Sequence, residues 1–373
     1  MSKIKVGVIG VGPRGRYLFE ELTLCPETEA FAVADINEEN LNLMRKKLKD
    51  LGRDEGQVQY FSDYHELLKS GVQAVLVATD MFTHCDIACD CINAGVHVLC
   101  EIPNISSCEE AGKLLRACRA NPQVKFMVAE NCCYWGFIQT WKEMYEAGVF
   151  GDIIVAEGEY LHGEGFIANY AKHKRGETIE RTWRSYLPAI NYCTHETGPL
   201  FYLLSDEPDE ITGFIPGVNH AEAFHPAPYN GMMVIKTKKG TIMKVTIGFG
   251  MHQPICAHNF VLYGSEGNIQ NERKWPVYAA RTCFGDLRSI PNAKKPIEFP
   301  VNTELANSTG GGHGGGDRAM MQDFVDSIVM DKKPKLDIEF GIRIALPGIY
   351  ADISSKEGSR TIKMPTMDEI AKM

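Results

Sequence analysis

The first third of the chain alternates short apolar runs with longer amphipathic stretches, and this alternation limits the fold more than any other feature. The runs KVGVIG, AFAVADI, QAVLVAT and HVLCE have the composition of strands that are buried on both faces. Each run is followed by a stretch with helical periodicity. Repeated β-α units of this kind predict a parallel sheet with helices on both faces. The segment KFMVAEN is predicted to close that sheet.

The turn after the first strand has the spacing of a dinucleotide-binding loop. In GVIGVGPRG, Gly10, Gly12 and Gly15 form a G-x-G-x-x-G pattern between a predicted strand and a predicted helix. Asp35 ends the next strand, where a carboxylate can accept hydrogen bonds from ribose hydroxyls and would repel a 2′-phosphate. We therefore expect NAD rather than NADP. The alternative is a glycine turn and a solvated aspartate in a sheet that binds nothing.

The predicted cofactor site includes further residues near this turn and near the ends of later strands. Arg14 is placed to neutralise the pyrophosphate, unless it is simply a solvated charge. Glu101 closes another strand, where it would hold the nicotinamide ribose or the backbone turn. The remaining candidates for cofactor binding are Pro13, Thr79, His84 and Pro103.

The pattern changes after Tyr134, where alternating apolar and polar residues replace the β-α units. Segments such as DIIVAEGEYLHGEG and GMMVIKTKKGTIMKVTIGFGM predict antiparallel strands with one wet face. Between these strands, residues 172–188 predict a long surface or lid loop. Helical patterns return at residues 317–330 and 339–355.

These patterns together predict a two-domain protein. Residues 1–125 are expected to form an α/β Rossmann domain that binds NAD. Residues 126–373 are expected to form an α+β domain for substrate binding and oligomerisation, with a large open, mainly antiparallel sheet. Its C-terminal helices could pack back on the Rossmann domain.

Composition excludes several classes of partner. The net charge is −9 and long basic runs are absent from the sequence, so nucleic acid is not an expected partner. The apolar runs are too short to cross a bilayer. Residues 3–9 are already strand-like, which leaves no room for an export signal, so we expect a cytoplasmic protein.

The sequence contains 12 cysteines, and their spacing does not suit a structural zinc site. Cys85 and Cys89 share one face of a predicted helix, with Cys91 close by. We expect buried thiols that pack as small apolar side chains. The sequence accordingly predicts neither a metal site nor a disulfide.

Several motifs resemble those of the Gfo/Idh/MocA oxidoreductases. The glycine turn, VATDMFTHCDIACDCINAGVHVLCEIP, YGSEGNI and GGGHGGGD carry this resemblance over essentially the whole chain. The resemblance implies that a nicotinamide cofactor binds to the first domain. It also implies that a sugar or related polyol binds against the open sheet of the second domain.

Two motifs depart from the common pattern of that family. Common members have Glu-Lys-Pro, with the lysine near the reacting hydroxyl, where this chain has Glu101-Ile102-Pro103. They have D-x-G-x-H where this chain has Asn191-x-Cys193-x-His195. Because Ile102 cannot move a proton, either the base lies elsewhere or hydride transfer is not the net reaction.

A narrower resemblance addresses this departure. AENCCY, GVFGDIIVAEGEYLH, WRSYLPAINYCTHETGP and GGHGGGD resemble segments of the NAD-dependent glycosidases of the α-N-acetylgalactosaminidase type. Those enzymes also have an apolar residue in place of the lysine. They oxidise carbon 3 of a sugar, remove the carbon-2 proton, eliminate the glycosidic group, add water and return the hydride. The resemblance implies active-site roles for Glu130, His162, Tyr192, His195 and His313.

The chemistry of alcohol oxidation favours His195 as the central residue. The hydroxyl proton needs an acceptor close by, and a neutral imidazole suits this role near pH 7. Asn191, Tyr192 and His195 have spacings that place them on one face of a helix. His195 is predicted to be the base or to orient the substrate, and Tyr192 to be a proton relay, the carbon-2 base or a core aromatic. Glu130 would bind sugar hydroxyls, in competition with an ordinary salt bridge.

Four other residues are candidates for substrate binding. His162 ends a predicted strand of the second domain and could reach the substrate from there. His313 lies among six glycines, which allow a close approach of backbone to a ligand, although a surface loop is the alternative. Trp183 and Arg184 precede the predicted active-site helix, where an aromatic ring could stack on a sugar.

Three functions stay open at this level. The leading one is NAD-dependent oxidation of a secondary alcohol, at carbon 3, of a sugar or glycoside. The second is redox-neutral glycoside cleavage through transient oxidation and elimination, and the third is a non-catalytic NAD-binding sensor. We also expect a homo-oligomer, a dimer, tetramer or larger, because an alternating sheet needs its second face covered.

Overall fold

The computed structural model describes most of the chain in two compact units. Its described residues are 3–54, 56–163, 172–175, 178–217, 226–251, 257–272, 282–290, 296–300 and 312–373. The first unit comprises residues 1–130, 317–342 and 367–373, and the second comprises residues 131–316 and 343–366. The domain boundary between residues 125 and 126 stays a prediction.

The first unit contains a parallel sheet of six strands, in the order β3-β2-β1-β4-β5-β6. The strands are β1 (Ile4–Ile9), β2 (Thr28–Ala34), β3 (Gln59–Phe61), β4 (Ala74–Val77), β5 (His97–Cys100) and β6 (Phe126–Val128). The helices between them are α1 (Pro13–Thr23), α2 (Glu38–Asp50), α3 (Tyr64–Lys69), α4 (Met81–Asn93) and α5 (Cys108–Ala120). The predicted parallel sheet is confirmed, with β6 at its edge.

Local sequence signals explain where several of these helices begin. The side chains of Asn37, Asp80 and Ser107 accept hydrogen bonds from backbone amides in the first turns of α2, α4 and α5. On α4, the thiols of Cys85 and Cys89 are buried, as predicted for cysteines that pack as small apolar side chains.

The second unit is built on a sheet of nine strands, and the predicted mainly antiparallel sheet is confirmed. The order is β16-β15-β14-β13-β7-β12-β11-β10-β17, and β7 and β12 form the parallel pair. Its elements include α6 (Gly136–Glu146), β7 (Ile153–Gly163), β8 (Lys172–Arg175), β9 (Thr178–Arg181), α7 (Thr194–Leu204), β10 (Pro208–Phe214) and β11 (Asn230–Thr237). They continue with β12 (Ile242–Met251), β13 (Ala257–Gly264), β14 (Gly267–Asn271), β15 (Thr282–Leu287), β16 (Ile297–Pro300) and β17 (Ile362–Lys363).

Three helices complete the chain. They are α8 (Gly316–Val329), α9 (Ile338–Lys356) and α10 (Met367–Ile370). Within the first unit, Arg116 of α5 donates a hydrogen bond to the carbonyl of Ala371, which ties the C-terminal residues to that helix. None of the helices that the structure describes has both the length and the hydrophobicity needed to cross a membrane.

Two segments differ from the sequence prediction. The short elements β3 and α3 were not predicted, because a three-residue strand that is only partly buried gives little periodic signal. Residues 172–188 were predicted as a loop, but β8 and β9 pair there as an antiparallel hairpin, followed by a 3₁₀ turn at Trp183–Tyr186.

The central strand β7 presents alternate residues to the two faces of the nine-stranded sheet. Ala156, Gly158, Tyr160 and His162 are buried on its inner face. A Cβ atom at Gly158 would lie 2.9 Å from the Cβ of Glu196 on α7. The absence of a side chain at Gly158 therefore allows α7 to pack directly on this strand.

Candidate active site

The glycine turn of the first unit leaves room for a ligand at one of its three glycines. Gly10 has a φ of 89°, and a Cβ at Gly15 would lie 2.0 Å from the Gly10 carbonyl oxygen. A Cβ at Gly12, by contrast, would meet nothing within 4 Å. Gly12 immediately precedes Pro13, the first residue of α1, so open space adjoins the amide groups at the start of that helix. This arrangement fits a pyrophosphate.

Asp35 lies at the end of β2 and holds the glycine turn. Its Oδ2 accepts a hydrogen bond from the Val11 amide at 2.7 Å, and its Oδ1 accepts one from the Asn37 amide at 2.8 Å. The following residue, Ile36, is 95% exposed. An acidic group beside an exposed apolar side chain suits ribose hydroxyls and the flat face of an adenine ring.

Arg14 makes contacts that the sequence did not predict. Its Nε donates to Glu101 at 2.9 Å, and its Nη2 donates to Asp317 at 3.1 Å. The other carboxylate oxygen of Glu101, Oε2, accepts a hydrogen bond from the Ile102 amide. Two carboxylates thus balance the charge of Arg14, and its assignment to the pyrophosphate stays a prediction. Asp317 follows a glycine run, and sequence reasoning did not single it out.

His84 ties together the ends of two strands. Its Nδ1 lies 2.9 Å from the Pro103 carbonyl oxygen, and its Nε2 lies 3.2 Å from the Thr79 carbonyl oxygen. The peptide bond between Ile102 and Pro103 is cis. Burial lowers the pKa of His84, so the ring is neutral near pH 7. Cofactor contacts for Thr79, His84 and Pro103 stay predictions.

In the second unit, six aromatic and histidine side chains form a contiguous group, which we call the ring cluster. Tyr160 lies at its centre and stacks on His258, with ring centroids 4.0 Å apart and planes 17° apart. These two residues are direct partners across β7 and β13. The other members contact Tyr160 edge-on or at longer range. The ring cluster consists of Tyr160, His162, Tyr192, His195, Phe249 and His258.

Tyr192 and His195 come together in the ring cluster, although they do not share one helix. Tyr192 ends a 3₁₀ turn at Ala189–Tyr192, whereas His195 is the second residue of α7. Their ring centroids are 5.5 Å apart, and His195 lies equally far, 5.5 Å, from Tyr160. The single α-helix predicted for residues 191–195 is therefore wrong, but the predicted proximity of Tyr192 and His195 is present.

Two histidines of the ring cluster are held neutral. Burial, with smaller contributions from His195 and Arg184, lowers the pKa of His162 to about 3. Burial also lowers the pKa of His258 well below its ordinary value, with further contributions from His195, His162 and His313. At neutral pH these rings therefore act as hydrogen-bonding groups without charge.

The residues predicted to bind substrate have different surroundings in the structure. The guanidinium of Arg184 lies 5.1 Å from the Tyr192 ring centroid and 4.5 Å from that of Trp183. Among the described residues, the buried Oδ1 of Asn191 has no hydrogen-bond partner. His313 is exposed and has a φ of 50°, and it is close enough to His258 to affect that residue's pKa. Glu130, in the first unit, is completely buried two residues after β6.

Sequence reasoning missed three polar residues of the second unit. His258 Nδ1 lies 2.7 Å from Glu196 Oε1, and both side chains are buried. Cys132 is also buried, and its Sγ lies 3.2 Å from His195 Nδ1. A weak signal existed for each one: Glu196 adjoins His195, Cys132 lies in the AENCCY motif, and His258 sits on an alternating strand.

The Glu196–His258 pair is expected to stabilise the second unit strongly. Replacing Glu196 with alanine leaves a buried imidazole without its carboxylate partner, which costs about 3 kcal/mol of unfolding free energy. Urea unfolding of the two proteins measures this loss. The matched control is Glu207→Ala, because Glu207 pairs with Lys238 and Arg343 at the surface. The control should cost about 1 kcal/mol or less, and equal losses in the two variants would contradict the expectation.

A family model supports the assignment of the first unit. The Gfo/Idh/MocA model, described as an oxidoreductase family with an NAD-binding Rossmann fold, matches residues 4–130.

The chain is also similar to proteins of glycosyl hydrolase family 109. One from Solibacter usitatus is 24% identical over 397 residues, covering 97% of this chain and 87% of that protein. Protein 4 of this family from Phocaeicola vulgatus is 29% identical over 211 residues, covering 55% of this chain but only 40% of that protein. An α-N-acetylgalactosaminidase from Bacteroides fragilis is 27% identical over 228 residues, covering 60% of this chain and 53% of that protein. The chain thus matches under two thirds of the length of the last two.

Solved structures share the fold of this chain. An oxidoreductase domain protein from Kribbella flavida superposes with a TM-score of 0.83 at 16% identity, covering 98% of this chain and 100% of that one. A levoglucosan dehydrogenase in complex with NADH and levoglucosan gives 0.81 at 18% identity, with the same coverage. At these identities the likeness shows the fold alone. The match of residues 4–130 to the Gfo/Idh/MocA oxidoreductase model agrees with the resemblance seen in the motifs and indicates an NAD-binding Rossmann fold, with NAD as the cofactor.

Proposed function

We propose that this protein oxidises a secondary alcohol of a sugar or glycoside, with His195 as the base that accepts the hydroxyl proton. The observation that carries the proposal is the position of His195 in the ring cluster. A partly buried imidazole there has Tyr160 and Tyr192 beside it. A base among groups that can donate and accept hydrogen bonds is what alcohol oxidation needs.

The departure at Ile102 supports this assignment. Ile102 is buried and cannot exchange a proton, so the lysine that resembling enzymes use has no counterpart at this position. His195 occupies the position of the histidine in the D-x-G-x-H pattern. It can take over proton removal because an imidazole is largely unprotonated near pH 7.

The other residues of the ring cluster bind and orient the sugar in this proposal. His162 and His258, both neutral, offer hydrogen bonds without placing a positive charge beside the base. Arg184 and Trp183 form one wall through their contacts with Tyr192 and with each other. Asn191, Glu130 and His313 are proposed as further groups for sugar hydroxyls.

In the first unit, Gly10, Gly12 and Asp35 would hold NAD, which supplies the hydride acceptor when bound. The proton of the reacting hydroxyl would go to His195, and the carbon that bears this hydroxyl would give up its hydride as the carbonyl forms. The reacting carbon is proposed to be carbon 3.

A second candidate is redox-neutral glycoside cleavage. The specific observation in its favour is Tyr192, whose ring centroid lies 5.5 Å from that of His195. Oxidation at carbon 3 makes the carbon-2 proton acidic, and elimination of the glycosidic group requires a second proton acceptor. Tyr192 would be that acceptor. The names of the similar family 109 proteins and of the α-N-acetylgalactosaminidase agree with this candidate.

One experiment separates these candidates. The purified protein is incubated with NAD and a panel of monosaccharides and nitrophenyl glycosides in deuterated water. Accumulation of NADH with a keto-sugar supports oxidation. Release of nitrophenol without NADH, with deuterium at carbon 2 of the product, supports cleavage. Tight NAD binding without either reaction across the panel would contradict both enzymatic proposals. It would support the third hypothesis, a non-catalytic NAD-binding sensor.

We also propose a cytoplasmic homo-oligomer that assembles through the outer face of the nine-stranded sheet. Ile242 and Tyr263 are exposed on the two strands that flank β7, where both pair with Val155. Large apolar side chains grouped on a sheet face favour burial against another surface. Light scattering of the purified protein measures the subunit number, and a monomer at micromolar concentration would contradict the proposal.

A further inference from the structure

The buried turn that follows the first unit places a thiol against the proposed base. Cys132 lies in the 3₁₀ turn Asn131–Tyr134 and is 1% exposed. Its Sγ is 3.2 Å from Nδ1 of His195, which is a short distance for a hydrogen bond that involves sulfur. Residues 132 and 195 are 63 positions apart in the sequence, so this contact is a product of the tertiary fold.

The neighbouring residue indicates which way this hydrogen bond runs. The thiol of Cys132 donates to Oδ1 of Asn131 at 3.6 Å, and Asn131 is itself buried. A thiol has one proton, so when the Cys132 thiol donates to Asn131 its sulfur accepts from the histidine ring. In this arrangement Nδ1 of His195 carries a proton. The lone pair of a neutral ring is left on Nε2.

This tautomer matters because the two ring nitrogens have different roles. The nitrogen that takes the hydroxyl proton must be unprotonated before the reaction, and the hydrogen bond at the other nitrogen decides which one that is. A histidine with its proton on Nε2 would offer the substrate a donor at that nitrogen, and could not remove a proton there.

We propose that Cys132 is a positioning residue, which accepts a hydrogen bond from Nδ1 of His195 and so keeps Nε2 ready to take the hydroxyl proton. This inference rests on the proposed role of His195 as the base. During the reaction the substrate proton moves to Nε2, the ring becomes positive, and its Nδ1–H continues to donate to the sulfur. Cys132 stays a thiol throughout.

The groups around His195 are compatible with this role. The positive charge of Arg184 acts on the neighbouring His162. The Glu196 carboxylate is hydrogen-bonded to His258. The neighbouring histidines are held neutral, so they do not supply a fixed charge that would select a tautomer. Among the described residues of the second unit, the titratable groups near His195 include Cys132, Tyr160, His162, Tyr192 and His258.

Nitrogen NMR of protein labelled at histidine tests the proposal without cofactor or turnover. The His195 resonances are assigned by their loss in a His195→Asn variant. In the wild-type protein we expect a neutral ring with its proton on Nδ1. In Cys132→Ala we expect the Nε2–H form to become substantial, because the acceptor at Nδ1 is gone. Cys132→Ser keeps an acceptor and should restore most of the Nδ1–H form.

The matched control is Cys133→Ala, which removes a thiol of equal burial from the next position of the same turn. It should leave the His195 tautomer unchanged. Kinetic measurements follow on the same variants: kcat of Cys132→Ala should fall at least about tenfold, with a much smaller change in KM and partial recovery in Cys132→Ser. NAD binding and the unfolding midpoint check that each variant is folded.

Two results would overturn the proposal. One is a wild-type His195 with its proton on Nε2, and the other is a tautomer that does not move in folded Cys132→Ala. Both results can be measured even if His195 is not the base, because they concern only the protonation of the His195 ring. Conversely, full activity in His195→Asn would refute the base assignment, while the NMR result would still report on the contact with Cys132.

Discussion

Replacing His195 with asparagine should lower turnover by about 1,000-fold, while NAD should still bind with wild-type affinity. The expected size follows from the loss of the proton acceptor, since general base catalysis contributes about 10²- to 10⁴-fold. Asparagine keeps a polar group of similar volume in the ring cluster, so the packing around Tyr160 should survive. Steady-state kinetics on the substrate found in the glycoside panel give the turnover, and calorimetric titration gives the affinity for NAD.

Two controls separate loss of the base from damage to the cluster. Phe249→Leu changes a ring of the same cluster that has no proton to exchange, and it should reduce turnover far less than the His195 variant. His65→Asn replaces an exposed histidine of the first unit and should behave as wild type. If His195→Asn keeps more than about a tenth of the wild-type rate, the base is another residue.

Gly12→Val and Gly15→Val should both weaken NAD binding strongly, but for different reasons. Gly12 has an ordinary φ of −56° and open space beside it, so a valine there leaves the fold intact and fills the room that a pyrophosphate needs. We expect the affinity for NAD to fall about 100-fold or more, since about 3 kcal/mol of hydrogen bonding to a charged group is lost. At Gly15 the added Cβ would lie 2.0 Å from a backbone oxygen, so stability should fall as well.

Calorimetric titration with NAD and thermal unfolding distinguish the two variants. Gly12→Val should unfold at the wild-type temperature, whereas Gly15→Val should unfold at a lower one. Gly217→Val is the control, because that position is exposed and a Cβ there also meets nothing within 4 Å. Unchanged NAD affinity in Gly12→Val would mean that the pyrophosphate does not pass over this residue.

The first unit was largely predictable because its signals are local. A buried parallel strand is a continuous apolar run, a helix end has a capping residue such as Asp80, and the glycine turn has fixed spacing. Each of these signals is read within a dozen residues. The elements that were missed, β3 and α3, are too short to show a period.

The ring cluster was only partly predictable because its contacts are long-range. Alternation in β7 indicates that Tyr160 and His162 share a face, but it does not reveal which strands lie beside β7. Its neighbours, β12 and β13, come from much later in the chain, and β13 brings His258 opposite Tyr160. The sequence signals for Glu196 and Cys132 were weak, and their contacts became visible once α7 and the Asn131–Tyr134 turn had been placed.

The position of β7 has a consequence for how firmly the cluster is held. This strand is the fifth of nine and is hydrogen-bonded along both edges, to β12 and to β13. Strands bonded on both sides open only in the rarest excursions of a folded protein, whereas edge strands such as β16 fray first. Tyr160 and His162 therefore project from the least deformable part of the sheet, and any adjustment to sugars of different shape must come from the chain segments that surround them.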